Sequence, residues 1–174
     1  SGKISIKSKS GTAKHDITLE VLNKELPAPS EWAFHLDLWQ NPFAVARFHE
    51  VELWSGDHID LLRPYLTMLA NAGQKCITAT IIDRPWGRDK PCYDDFRSMI
   101  NWIKKLDGSW EYDYTIFDSY VSLAMECGIK KQINCYTMVP ISNEFTWFNE
   151  ETSDTVVIEL FPGTSEYEDH WRPF

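Results

Sequence analysis

Ala72-Gly73-Gln74-Lys75 and Cys127-Gly128-Ile129-Lys130 are two joints of the same construction, their glycines 55 residues apart. Each follows a stretch of helical period and leads into a β-rich run. A glycine just past a helix supplies the left-handed residue that ends it, and so short a joint sends the chain back as a strand. Helix, glycine stop, lysine and strand, met twice, is what consecutive units of a parallel α/β sheet produce. The fold class expected is therefore α/β.

The flanking periodicities fill in the elements. Ile59, Leu62, Leu66 and Leu69 recur at helical spacing over residues 56–72, with Pro64 inside the pattern, so the helix starts near the proline or kinks there. Residues 75–82, KCITATII, form a mostly apolar run suited to a strand covered on both faces. Thr115-Ile116-Phe117-Asp118 has the form of a capping box with Asp in place of Glu, opening a helix through Phe117, Tyr120, Val121 and Ala124; residues 132–139 follow as the next strand. Phe96, Met99, Ile100 and Ile103 predict a helix over 94–105, and residues 110–114 a short strand. Residues 145–148 and 155–160 pair as a hairpin, an excursion from the sheet, and 166–174 begin another helix. Residues 32–39 alternate, placing Trp32, Phe34, Leu36 and Leu38 on a core face and Ala33, His35, Asp37 and Trp39 on a second, chemical face.

Upstream, Ile4 and Ile6 and then Ile17, Leu19 and Val21 alternate as a hairpin of half-buried strands. The run Leu26-Pro27-Ala28-Pro29-Ser30 cannot continue a strand and reads as a linker. The expected organisation is thus the tail of an upstream β domain over 1–25, a linker over 26–31 and an α/β unit over 32–174. With 174 residues the chain is short of the 200 or more of a closed eight-stranded α/β barrel, and it starts at Ser1-Gly2-Lys3 with no apolar leader, so it reads as an excised piece.

Charge narrows the partners. Lys plus Arg number 17 against 26 Asp plus Glu, a formal charge of -9, which repels nucleic-acid phosphates and anionic lipid. No apolar run is long enough for a membrane span. Cys76, Cys92, Cys127 and Cys135 make no C-x-x-C pair, and His15, His35, His49, His58 and His170 make no H-E-x-x-H, so neither a metal nor a cofactor is indicated. Cys76, Cys127 and Cys135 are expected as small buried hydrophobes, and His35 as a satisfied core imidazole. A hydrolase using Cys135 as nucleophile lacks an evident histidine partner.

Ligands of parallel α/β sheets sit off the carboxyl ends of the strands. Those positions carry Asp37, Trp39 and Gln40, then Asn41-Pro42, Trp54, Asp57 and His58; Thr80, Asp83 and Pro85-Trp86-Gly87; and Asn134 and Tyr136, then Thr137 and Pro140. Asn134 and Tyr136 share a face by period two. Carboxylate, amide, phenol and indole at one mouth suit a sugar, which needs hydrogen bonds to its hydroxyls and an aromatic surface for its C–H face. The aromatic fraction of 14%, with eight tryptophans, exceeds what a core needs and supports a lined site.

The segments Leu36-Asp37-Leu38-Trp39-Gln40-Asn41-Pro42, Trp54-Ser55, Ala72-Gly73-Gln74-Lys75, Pro85-Trp86-Gly87, Asp113-Tyr114 with Phe117-Asp118, and Asn134-Cys135-Tyr136 together resemble the family-123 glycoside hydrolases and their uncharacterised bacterial relatives, from about Leu26 onward. The resemblance implies a (β/α)8, TIM-type barrel preceded by a β-sandwich, of which this chain would hold the first few βα units and the sandwich's last hairpin. It implies an exo-acting β-N-acetylgalactosaminidase that is retaining and substrate-assisted, the 2-acetamido oxygen of the sugar attacking its own anomeric carbon. The acid/base of that mechanism is an adjacent Asp-Glu pair, and this chain contains no Asp-Glu dipeptide. What it would contribute is part of the sugar pocket: Asp37, Trp39, Gln40, Trp86, Asn134 and Tyr136. The chain by itself would then be inactive, or a carbohydrate-binding or interaction module without catalysis. Export to the periplasm, cell surface or medium follows from the same resemblance, and self-association from the open edge of a partial barrel.

Overall fold

The computed structural model describes residues 1–86 and 94–174, which leaves Gly87 of the Pro85-Trp86-Gly87 motif and Cys92 outside the described residues. Strands β1 (Gly2–Ser8) and β2 (Gly11–Ile17) pair antiparallel, Ile4 opposite His15 and Ile6 opposite Ala13. Every residue of the hairpin is exposed, so the half-buried expectation is corrected: among the described residues each strand pairs with the other alone and neither face is covered.

The predicted strand at 32–39 is reduced to a single parallel bridge, Leu36 to Gln74, with Lys75 N–H donating to the Leu36 carbonyl at 2.9 Å. Phe34 and Leu38 are exposed rather than core. Beyond the bridge, side chains replace the backbone ladder. Gln74 Oε1 accepts from Leu38 N–H at 2.9 Å, and its Nε2 donates to the carbonyls of Leu38 at 3.0 Å and Cys76 at 2.8 Å.

Helix α1 (Pro42–His49) was not expected from sequence. It is short, with Pro42 at its first turn and Asn41 Oδ1 accepting from Ala44 N–H at 3.0 Å, a cap that also reads as a turn. Helix α2 (Gly56–Asn71) is capped by Ser55 and runs through Pro64 without restarting. Pro64 and Asp60 are both exposed, so the carbonyl that loses its helical donor faces water. Gly73 then takes a φ of +87°, and a Cβ there would stand 3.0 Å from the Trp32 ring, so both conformation and packing require glycine.

Strand β3 (Cys76–Thr80) is buried along its length and pairs in parallel with β6 (Gln132–Tyr136). Between them, residues 94–104 are not the predicted helix. The carboxyl end of β3 captures their backbone: Met99 N–H donates to the Thr80 carbonyl at 2.8 Å, Thr80 Oγ1 to the Arg97 carbonyl at 2.6 Å, and Ser98 N–H to Asp83 Oδ1 at 2.8 Å. The apolar run that mimicked a helical stripe instead plugs the interior, with Met99, Ile100 and Trp102 buried. It continues as β4 (Asn101–Lys104), which turns back as β5 (Trp110–Asp113). Helix α3 (Thr115–Glu126) follows, and its cap differs from the expected box: Asp113 Oδ1 accepts from Thr115 N–H at 2.9 Å and from its hydroxyl at 2.6 Å.

Strands β7 (Glu144–Asn149) and β8 (Asp154–Glu159) form the expected hairpin and join β4 and β5 in a sheet of order β5-β4-β7-β8. Helix α4 (Ser165–Trp171) closes it. Among the described residues the apolar side chains gather in two centres. Leu62, Leu66, Ile77, Ala79, Tyr120, Leu123 and Ile129 lock α2 and α3 onto β3; Ile81, Ile100, Trp102, Phe145, Leu160 and Trp171 fill the second sheet.

His170 lies in that second centre, 5% exposed, its ring stacked on Trp102 at 4.8 Å and 10° and against Phe145 at 4.9 Å. Burial, reinforced by the Lys104 charge, pushes its pKa down from 6.5 to about 4. Above pH 6.5 the imidazole is neutral in folded and unfolded chains alike; between 6.5 and 4 only the unfolded chain takes up the proton. Stability contributed by this site should therefore fall by up to about 3 kcal/mol as the pH drops through that window. Urea unfolding at about pH 7 and at about pH 4 should show the loss in the parent and a shallower one in His170→Phe; parallel curves would refute the assignment.

Candidate functional site

Parallel pairing sets the site. Cys76 opposes Gln132, Thr78 opposes Asn134 and Thr80 opposes Tyr136, so by the period of two these six side chains share one face. Residues 35–40 run along the other edge of β3 and add His35, Asp37 and Trp39. Gln40 fastens this segment: its Oε1 accepts from Thr78 N–H at 2.9 Å, and its Nε2 donates to the carbonyls of Leu38 and Cys76. Of the six residues singled out from sequence, Gln40 is thus spent largely on backbone and acts as a positioning group.

The other five come together. Trp39, Trp86 and Tyr136 form an aromatic wall past the carboxyl ends of β3 and β6, with centroids 5.0 Å apart for Trp39 and Tyr136, 5.8 Å for Trp39 and Trp86, and 5.1 Å at 24° for the stacked pair Trp86 and Tyr136. Phe96 backs Trp86 at 4.6 Å. Trp39 remains 55% exposed, so the wall is open to solvent. Beneath it, Asn134 Nδ2 donates to Asp37 Oδ2 at 3.1 Å, and Asn134 Oδ1 accepts from Gln132 at 2.5 Å. A cavity of about 100 Å³ lined by Trp39, Gln40, Thr78, Thr80 and Trp86 lies behind the wall.

Two buried atoms on this floor, Asp37 Oδ1 and Thr78 Oγ1, have no hydrogen-bond partner. Buried polar atoms are nearly always paired, so both are free to meet a ligand.

Sequence reasoning missed what lies next to Asp37. His35 is exposed, not a core imidazole, and its Nε2 stands 3.4 Å from the buried Cys76 Sγ. Burial and then the Asp37 charge push the Cys76 thiol up. The signal was the alternation that already put His35 and Asp37 on one face; which strand they would face was not in it. Cys135 is exposed rather than buried, because β6 has a single neighbouring strand among the described residues.

The remaining positions are structural. His58 is fully buried, its Nδ1 accepting from Trp54 N–H at 3.0 Å and its Nε2 donating to the Pro42 carbonyl at 2.9 Å. Burial lowers its pKa against the opposing pull of that carbonyl. It holds α1 against the start of α2. Asn41 Nδ2 and Arg47 Nε hold Asp94 at 2.8 and 2.6 Å, with Arg47 the main cause of that carboxyl's lowered pKa. Asp83 accepts from Ser98, Pro140 is buried, and Thr137 and the exposed Asp57 join none of the clusters above.

With strand ends, aromatic wall and polar floor in place, the chain stands among mixed α/β proteins whose ligand position lies off the carboxyl ends of parallel strands. Comparison makes that class specific. The profile of the glycoside hydrolase 123 catalytic domain matches residues 39–174. The fold is similar to that of a family 123 glycoside hydrolase from Clostridium perfringens, solved in a study of glycolipid glycan hydrolysis, with a TM-score of 0.82 and 31% identity over 93% of this chain. A search of curated proteins finds no match. The chain belongs to glycoside hydrolase family 123, and it spans 30% of the length of the Clostridium perfringens enzyme.

The clamp generates a prediction. Gln74 is 3% exposed, and Gln74→Leu would strand the Leu38 N–H and leave the Leu38 and Cys76 carbonyls to Gln40 Nε2 alone. A loss of about 1–3 kcal/mol is expected in urea unfolding, from one N–H left unpaired and two carbonyls left with a single donor. A change under about 0.5 kcal/mol would mean that water replaces the amide and the clamp carries little.

Proposed function

We propose that this chain forms part of the sugar pocket of a longer glycoside hydrolase that releases β-linked N-acetylgalactosamine from non-reducing ends. The observation that carries the reading is the exposed Trp39–Trp86–Tyr136 wall above the Asp37–Asn134 pair. The wall takes the C–H face of the pyranose, while Asp37, Asn134 and Thr78 meet its polar substituents. Gln40 holds the Trp39 backbone in register with β3. In the retaining, substrate-assisted route the 2-acetamido oxygen attacks the anomeric carbon as the glycosidic bond breaks, and an acid protonates the departing oxygen. The Asp-Glu pair for this chemistry comes from another part of the protein, since no such dipeptide occurs in these residues.

On this reading residues 36–40, β3 and β6 are the first staves of a (β/α)8 barrel. Their order in space repeats their order in sequence, with α2 between the first two and α3 between the last two. The sheet β5-β4-β7-β8 is an insertion packed beside them. Residues 1–25 are the end of an upstream β-sandwich, 26–31 the linker and 32–174 the start of the barrel, and the protein works outside the cytoplasm. Among the described residues no helix is long and apolar enough to cross a membrane.

Calorimetric titration of the chain with N-acetylgalactosamine, N-acetylglucosamine and galactose tests the pocket. Binding that requires the acetamido group, weakened about tenfold in Trp39→Ala and lost in Asp37→Ala, is expected. Equal binding of all three sugars would favour a general carbohydrate-binding module over a hexosaminidase pocket. No binding by either this chain or the longer protein would sink the assignment.

The outer edge of β6 has no partner strand among the described residues, and Ile133 on it is 43% exposed. Such an edge pairs with a second copy. Sedimentation velocity should show a concentration-dependent dimer or larger species; a monomer at all concentrations would contradict this.

A further inference from the structure

His35, Asp37 and Cys76 offer an imidazole nitrogen, a carboxylate oxygen and a thiol sulfur, all within 4.8 Å of one another. Three unlike ligand atoms at this separation differ from an ordinary polar cluster. Tetrahedral zinc with Zn–S near 2.3 Å and Zn–N near 2.0 Å sets its ligand atoms about 3.3–3.8 Å apart, and the sulfur and the His35 Nε2 are already 3.4 Å apart.

A second observation points the same way. Asp37 Oδ1 is buried with no hydrogen-bond partner, while Oδ2 is held by Asn134 at 3.1 Å. Asn134 thus fixes one oxygen of a carboxylate that stands beside the sulfur and the imidazole, and Oδ1 is left unpaired. A ligating group oriented by an outer hydrogen bond is the usual arrangement around a protein-bound metal.

We propose that His35 Nε2, Asp37 Oδ1 and Cys76 Sγ bind a divalent ion of the zinc class, with Asn134 as the positioning residue. The donor set decides the class. Thiolate and imidazole favour zinc or cobalt over magnesium or calcium, which take oxygen ligands. One thiolate and one carboxylate balance the two positive charges. On binding, the sulfur–hydrogen bond of Cys76 breaks, its proton passes to solvent, and a sulfur–metal bond forms, with no change of oxidation state. Three protein ligands leave a fourth position for water or a substrate group. The site lies on the face of β3 that also carries Thr78 and Thr80, below the aromatic wall; it shares Asp37 and Asn134 with the proposed sugar pocket, but the ligation rests on the three donor atoms alone and is read without sugar.

The ligands come from two segments 41 residues apart in the chain, so no short spacing motif announces them.

Cobalt(II) titration of the chelator-stripped 174-residue chain tests the site. A thiolate-to-cobalt charge-transfer band and the intense visible bands of four-coordinate cobalt should appear, saturate at one equivalent and vanish when zinc is added. Cys76→Ser should abolish the charge-transfer band, His35→Gln should weaken binding at least about tenfold, and Asn134→Ala should weaken it about tenfold. Cys92→Ser, Cys127→Ser and Cys135→Ser should leave it intact. Absence of the band, its survival in Cys76→Ser, or its loss in Cys135→Ser would overturn the proposal. His35 is exposed, so His35→Gln keeps the fold, and unchanged cobalt affinity in that variant would overturn it even if Cys76→Ser proved unstable.

Discussion

The first parallel layer depends on two side-chain amides. Residues 36–40 make a single backbone bridge, to Gln74 just ahead of β3, yet they carry Asp37 and Trp39. Gln74 and Gln40 supply the missing ladder by bonding the backbone of Leu38, Cys76 and Thr78. At roughly 0.5–1.5 kcal/mol net for each hydrogen bond, these amides are worth as much as a short run of regular strand. Glycine at position 73 permits the tight exit from α2 that brings Gln74 to this place. Without the clamp, the aromatic wall would lose the residue that anchors it.

The second sheet depends on the first through a few captured backbone groups. Thr80 receives Met99 N–H and gives its hydroxyl to the Arg97 carbonyl, which pins residues 97–99 to the end of β3 and delivers Trp102 to the centre of an aromatic cluster. Trp102 Nε1 donates to the Ile81 carbonyl at 2.8 Å, so the same indole ties the new sheet to the end of β3. His170 and Phe174 then stack on its ring. A neutral imidazole inside that stack is a consequence of burial, and it makes the stack sensitive to acid.

At the site, the chain places aromatic surface outermost and polar groups beneath. Trp39, Trp86 and Tyr136 arrive from three separate segments, but each follows or ends a parallel strand or its equivalent, which is why they converge. The floor is less exposed and only partly satisfied: Asn134 is paired on both sides, while Asp37 and Thr78 each keep a buried atom unpaired. The open wall above an incompletely satisfied floor is the arrangement on which the proposed sugar pocket rests.

Helices α2 and α3, strands β3 and β6 and the glycine joints between them were legible in sequence, because helical period, strand-length apolar runs and left-handed glycines are local signals. Candidate residues at strand ends could be chosen for the same reason. Residues 94–104 were read as helix because Phe96, Met99 and Ile100 have the same spacing on a helical stripe as in a buried plug; only Thr80 and Asp83, drawing off their backbone groups, decide between them. The spending of Gln40 on backbone, the exposure of Phe34 and the meeting of His35 with Cys76 were likewise tertiary outcomes. Each depends on which strand lies alongside which. That choice is made by hydrogen bonds and packing between segments tens of residues apart, which no local pattern records.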